Sequence, residues 1–276
     1  MALNETLRPR QVRWRSLNWS EIIYRLYIVT VLIFIFLPIV VTIRYAFGTA
    51  RYFVWPPTGF TLDWFDKAFH NSLLIEAFQN SIVIALATTA LATVLGTITA
   101  FALARIAFKG KNAMGVLVLL PIVTYGIVAA ISLLIFFNSI DFERGLWTTI
   151  FGHTTFLFPF VVVVVGARLA NFDVSLEEAS MDLGARPVRT FFDITLPLIT
   201  PAIIAGALFV FTLSFDDFIL SFFLIGNTNT IPTYIFGLIR YFMTPEVNAA
   251  ATMVIGISMI LAILIGAFFG DIKEIY

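Results

Sequence analysis

Long unbroken apolar runs, rather than alternating or one-faced patterns, dominate this chain. Six of them approach the length of a bilayer crossing: residues 24–43, 77–104, 113–137, 154–170, 198–224 and 247–270. A hydrocarbon core takes about 20 apolar residues per helix, because every backbone N–H and C=O must be satisfied within the segment. The pattern predicts an all-α integral membrane protein with six transmembrane helices. The first run is expected to persist as a span, since it is long and no small-residue cleavage site follows Leu37-Pro38.

Charge orients these spans. Of seventeen Lys and Arg residues, twelve fall in alternate connecting segments beginning with the N-terminus: Arg8, Arg10, Arg13, Arg15, Arg25, Arg105, Lys109, Lys111, Arg168, Arg186, Arg189 and Lys273. Basic residues are retained on the cytoplasmic side, so both termini are expected inside. The other connections keep Arg44, Arg51, Lys67, Arg144 and Arg240 and include the turn-rich Trp55-Pro56-Pro57. The chain then divides into a cytoplasmic segment 1–23, a first span with its outer loop 24–69, a core 70–270 with a cytoplasmic loop at 171–197, and a tail 271–276.

Composition removes several function classes. Only 12% of residues are charged and 60% are hydrophobic, against roughly 25% charged in an average soluble domain. Formal net charge is zero, which argues against a nucleic-acid partner. The absence of cysteine excludes disulfides, thiolate metal sites and a Cys nucleophile. His70 and His153 are too few and too far apart in sequence to suggest a metal site, and interfacial or packed roles are the simpler reading. No P-loop or nucleophile-elbow pattern occurs, so the chain carries no nucleotide-hydrolysing motif of its own.

In the second run Ala92, Gly96, Ala100 and Ala104 recur every four residues, flanked by Thr89, Thr93 and Thr97. Small residues at that spacing let helix backbones approach closely, and the threonines could also line a passage. Ala262, Gly266 and Gly270 repeat the theme in the last run.

The loop between the fourth and fifth runs, NFDVSLEEASMDLGARPVRTFFDITLPLITP, has ordered signals. Ser175 with Glu178 reads as a capping box opening a helix that runs to about Leu183. Gly184 is placed to end it in the left-handed conformation, and Pro187 to open a second short helix. Capping explains Ser175, Glu178 and Gly184 but gives no reason to expose Ala179, Met181 and Leu183.

Glu178-Ala179-Ser180, three residues, Gly184, nine residues and Ile194-Thr195-Leu196-Pro197 resemble the EAA loop of ABC importer permease subunits, with Ser180 for the usual second alanine. The resemblance covers about residues 70–270 and implies the type I, MetI-like importer fold. It further implies that Glu178, Ala179, Ser180, Met181, Leu183, Gly184 and Ala185 dock on a separate ATPase subunit. Implied partners are a homologous permease, in a heterodimer, two ATPase subunits that bind ATP and Mg, and an extracytoplasmic solute-binding protein, all at a bacterial inner membrane. No cofactor is expected in this chain.

In the run LSFDDFILSFFLIG, Asp216 and Asp217 stand together inside the fifth span, about 30 Å from Pro197 at 1.5 Å per residue. A charge at mid-bilayer costs about 2.5 to 3.5 kcal/mol even on a lenient scale, so such groups face protein or water. On a continuous helix the two point about 100° apart, so one could face a cavity and the other a neighbouring helix. Two readings stand: a carboxylate that holds a cationic solute, with Phe215, Phe218 or Phe222 supplying aromatic faces, or a solvated pair that bonds to nearby helix ends. SFDDFILSFF and Pro245-Glu246-Val247-Asn248-Ala249 resemble spermidine/putrescine importer permeases of the PotC type. Gly126 stands where some polyamine permeases carry an acid, which leaves other amines, opines and amino-acid-like solutes open. Two further classes remain for comparison. A secondary transporter would show internal repeats and interrupted helices, and no clear repeat is visible. An intramembrane enzyme would place a Ser with a base partner, or His with acidic ligands, inside the spans.

Overall fold

A computed structural model describes residues 19–50, 54–241 and 245–273. Arg8, Arg10, Arg13, Arg15 and Arg51 lie outside these residues. Among the described residues every regular element is helical: α1 (Trp19–Ala46), α2 (Asp63–His70), α3 (Ser72–Arg105), α4 (Lys111–Val123), α5 (Gly126–Ser139) and α6 (Leu146–Ala170) come first. They are followed by α7 (Ser175–Asp182), α8 (Pro187–Thr190), α9 (Leu196–Phe215), α10 (Ile219–Leu224), α11 (Ile231–Tyr241) and α12 (Pro245–Lys273).

The core is a three-helix junction of α3, α6 and α9. Val161 of α6 is fully buried at its centre. A Cβ added to Gly96 of α3 would lie 2.5 Å from the Val161 Cβ and 2.9 Å from the Phe158 carbonyl oxygen. Gly206 of α9 meets Val161 from the other side, its built Cβ 3.4 Å from the Val161 Cα. At Gly96 the backbones approach to a distance that leaves no room for a methyl group, whereas at Gly206 the contact is ordinary van der Waals packing. Close approach of this kind is the association mode expected where lipid supplies no hydrophobic drive. The small-residue stripe is therefore a packing seam: Ala92, Gly96 and Ala100 are buried. Thr89 bonds back to the Ala85 carbonyl at 2.6 Å.

Four helices are long and apolar enough to cross a membrane, and α4 with α5 make a fifth if taken as one span. That third run, expected to be continuous over 113–137, is bent by 107° between Val123 and Gly126. Pro121 in the last turn of α4 supplies no N–H, and Thr124 adopts an extended conformation with its hydroxyl on the Leu120 carbonyl. The fourth run begins eight residues earlier than expected, at Leu146 rather than 154. The polar residues of this added stretch, Thr148, Thr149 and His153, face protein: the Thr148 hydroxyl donates to the Leu224 carbonyl at 2.9 Å, and the Gly145 N–H donates to Thr148 Oγ1 at 2.7 Å. The first and last helices extend beyond 24–43 and 247–270.

Helix α1 packs on α12, and α10 packs on α5 and α6. Asn71 caps α3, its Oδ1 accepting from Leu73 N and Leu74 N, while its Nδ2 donates to the Tyr234 hydroxyl and to Glu246 Oε1, each at 2.9 Å. One side chain thus joins α3, α11 and α12 at the end of the bundle opposite α7 and α8.

Candidate functional site

Two features stand out, one at each end of α3. The first is the helical loop. Helix α7 ends as the sequence predicts: Gly184 has φ of +90°, its N–H donates to the Met181 carbonyl, and the Ala185 N–H reaches the Ser180 carbonyl. Pro187 opens α8. The start of α7 differs from expectation, because Ser175 is not its cap. Val174 precedes the helix without a side-chain cap, and Asp173 Oδ1 accepts from the Ser175 N–H at 3.0 Å. Asp173 is two residues upstream, the spacing at which an Asx side chain closes on its own backbone, so it outcompetes the Ser175 hydroxyl. That bonding to Ser175 lowers the Asp173 pKa below the usual carboxylate value.

Leu183 is 91% exposed. Glu178, Ala179, Met181 and Gly184 are also exposed, while Ser180 and Ala185 are half-buried. Ser180 lies inward, its hydroxyl 3.2 Å from that of Thr190. The loop therefore presents an apolar-tipped surface held from beneath by polar ties. Sequence reasoning overlooked the residue beneath it, Glu177, which pairs with Arg105 at 3.2 Å and accepts from the Thr195 hydroxyl at 2.6 Å. Its signal was an acid in the first turn of α7, overshadowed by Glu178 in the EAA pattern. Helix α8 then runs through a π-helical turn, Phe191–Thr195, into α9, so Pro197 does not begin a separate span.

The second feature answers why two aspartates sit together. The expected helix 198–224 is not continuous: α9 stops at Phe215 and α10 starts at Ile219. Asp217 Oδ1 accepts from Leu220 N at 2.7 Å and from Ser221 N at 3.3 Å, capping the new helix. The carboxylate takes up the N–H groups that the break exposes. Asp216 is the first residue of the break, at the C-terminus of α9; it is exposed, and its carboxylate has no hydrogen-bond or ion-pair partner among the described residues. The two directions differ because the helix ends between them, not because of a 100° step along it.

His153, fully buried on α6, staples both sides of this break. Its Nδ1 lies 2.8 Å from Ser214 Oγ on α9, and its Nε2 lies 3.3 Å from Ser221 Oγ on α10 and 3.6 Å from Asp217 Oδ1. Packing was the simpler reading of this histidine, and it is packed. Ser214 and Ser221 are 3% and 1% exposed, so these serines sit beside a base yet present no hydroxyl to a substrate.

Of the three phenylalanines expected near the acids, Phe215 is displaced from that role. It is buried against Phe78 and Phe211, with ring centroids at 6.3 and 6.0 Å. Phe218 and Phe222 stand together at 5.3 Å and both meet Phe236 of α11, at 4.8 and 5.9 Å. Phe236 replaces Phe215 in the exposed cluster and was missed because only the folding of α11 onto α10 brings it there. Phe222 and Phe236 also wall a cleft of about 290 Å³ with Asn229, Thr233 and Arg240.

The chain matches the family described as binding-protein-dependent transport system inner membrane component over residues 92–273. It is 38% identical to the spermidine/putrescine transport system permease protein PotC of Haemophilus influenzae, over 84% of this chain and 90% of that protein. It is 36% identical to the putrescine transport system permease protein PotI of Escherichia coli K12, over 81% of this chain and 82% of that protein. The fold is similar to a chain in the crystal structure of a bacterial alginate ABC transporter in complex with alginate pentasaccharide-bound periplasmic protein. There the TM-score is 0.71 at 18% identity, covering 92% of this chain and 96% of the other.

Proposed function

The chain belongs to the family of binding-protein-dependent transport system inner membrane components, and we propose that it forms half of the translocation pathway of an ATP-driven polyamine importer. It is an integral membrane subunit with the ABC importer permease fold. The subunit crosses the membrane six times, α4 with α5 making one span and α12 the last, with both termini cytoplasmic. A homologous permease, two ATPase subunits that bind ATP and Mg, and an extracytoplasmic binding protein complete the assembly.

The observation that carries the substrate reading is the exposed, unpartnered carboxylate of Asp216 at the break in the fifth span. An acid there is stable only facing water, protein or a cation, since lipid would leave its charge unsolvated. The Phe218, Phe222 and Phe236 rings, clustered on the segment that follows it in the chain and on α11, offer faces to ammonium groups, an attraction of about 0.5–2 kcal/mol per well-placed contact. The similarity to polyamine permeases points the same way. Opines and amino-acid-like solutes are the alternative, in keeping with Gly126 at a position occupied by an acid in some polyamine permeases. Two interrupted spans also suit a secondary transporter, but that class gives no role to the exposed α7 surface.

The test is ATP-dependent uptake of labelled putrescine and spermidine by proteoliposomes holding the assembled complex. Saturable uptake that unlabelled polyamine suppresses and an equal excess of opine or neutral amino acid does not is the expected result. Uptake driven by an ion gradient without ATP would overturn the importer reading, and suppression by the opine or amino acid would overturn the substrate.

A further inference from the structure

We infer that Glu177 and Arg105 form a latch that carries movement of α7 into α3, making them positioning residues for the coupling of ATP hydrolysis to transport. The inference rests on the reading of α7 as the ATPase-docking element. Its starting point is one carboxylate oxygen. Glu177 Oε1 pairs with Arg105 Nη2 at 3.2 Å and accepts from Thr195 Oγ1 at 2.6 Å. Arg105 is the last residue of α3, Glu177 lies in the first turn of α7, and Thr195 closes the π-helical turn before α9. Three elements therefore meet at a single atom.

The two charged side chains are 20% and 16% exposed. Shielded to that degree, the pair is less open to competition from water and salt than an exposed ion pair. The Arg105 guanidinium also lies over the Phe172 ring, 5.1 Å from its centroid, which holds it in place immediately before α7.

The latch matters because α3 and α9 receive a push differently. Helix α9 is joined to the loop by continuous helical backbone through α8 and the π-helical turn. Helix α3 is 72 residues away in sequence from Glu177 along the pair Arg105–Glu177. Helix α7 itself packs on the π-helical turn and on α8, and its other side-chain tie, Ser180 to Thr190, stays within the loop. Among the described residues the ion pair is thus the side-chain polar connection by which displacement of α7 reaches α3. At its far end α3 is tied through Asn71 to α11 and α12, and Phe78 touches Phe215 beside the broken span. A helix moved at Arg105 would carry that motion to the region of the aspartates.

The experiment measures labelled spermidine transported per ATP hydrolysed, in proteoliposomes holding the complete complex. Glu177→Gln keeps an acceptor for Thr195 and removes the charge, and Arg105→Glu with Glu177→Arg exchanges the partners. For Glu177→Gln the expected result is ATP hydrolysis within about twofold of the parent, with transport per ATP lowered on the order of tenfold, the equivalent of about 1.4 kcal/mol of coupling. The exchanged pair restores the two charges but not the acceptor for Thr195, so it should recover part of the loss in transport per ATP, a ratio that a merely structural role, lowering hydrolysis and uptake together, would not move. An unchanged ratio in Glu177→Gln would overturn the latch, as would hydrolysis and uptake falling in step in both variants. A parent chain that assembles with no ATPase would instead overturn the docking reading, and the latch with it.

Discussion

Asp216 and Asp217 have the same side chain and opposite situations. Asp217 spends its carboxylate on the N–H groups of Leu220 and Ser221, whereas Asp216 is exposed and unpartnered. Asparagine caps helices about as well as aspartate, so Asp217→Asn should be tolerated, while Asp217→Ala should cost about 1 kcal/mol of stability. Asp216→Asn removes a charge that would attract an ammonium group by about 4 kcal/mol at 4 Å and an effective dielectric of 20, before desolvation. If a third of that survives, polyamine affinity falls about tenfold. Uptake titrations at matched membrane levels, with thermal melts of the purified variants, separate the two effects. Equal damage from the two Asn variants would contradict this division of labour. His153 also bridges the break, since its two ring nitrogens engage Ser214 and Ser221 and hold α9 and α10 in register across the gap.

Among the helices, the seam of α3, α6 and α9 shows how close packing replaces hydrophobic drive. Gly96→Val would place a branched side chain where even a Cβ lies 2.5 Å from the Val161 Cβ, against the Phe158 carbonyl. Backbone cannot yield as a flexible side chain does, so the change should destabilise the bundle by about 1–3 kcal/mol or more. Gly115→Ala is the control: nothing lies within 4 Å of its built Cβ. Melting temperatures in one detergent should fall for Gly96→Val and hold or rise for Gly115→Ala, since alanine is the better helix former. A similar response of both would mean that α3 and α6 separate more easily than this packing implies.

For the assembled protein, orientation and docking are open to one measurement because the chain has no cysteine. Leu183→Cys places a single thiol on a residue that is 91% exposed, at the tip of the loop. A membrane-impermeant maleimide should label it only from the cytoplasmic side. Addition of the ATPase subunits should slow that labelling. Labelling from the outside would reverse the proposed topology, and labelling unaffected by the ATPase would remove α7 from the interface.

The apolar runs, the end of α7 at Gly184 and the opening of α8 at Pro187 were legible in the sequence, because each depends on local chemistry: run length against bilayer thickness, a left-handed glycine, a proline without an N–H. The exposed surface at Ala179, Met181 and Leu183 was legible too, since local capping could not account for those side chains. The breaks at 124–125 and 216–218, the burial of Phe215 and the inclusion of Phe236 were not. Hydropathy sums over a run and cannot distinguish one straight helix from two bent pieces when their backbone ends are satisfied by side chains of the same run. Glu177 rather than Glu178 meets Arg105, and Asp173 rather than Ser175 closes the start of α7, because those choices depend on which partner the folded chain brings within hydrogen-bonding reach. Residue types determined that two acids in a greasy span must be neutralised or solvated. Only the tertiary structure decided that a helix terminus takes one of them and leaves the other exposed.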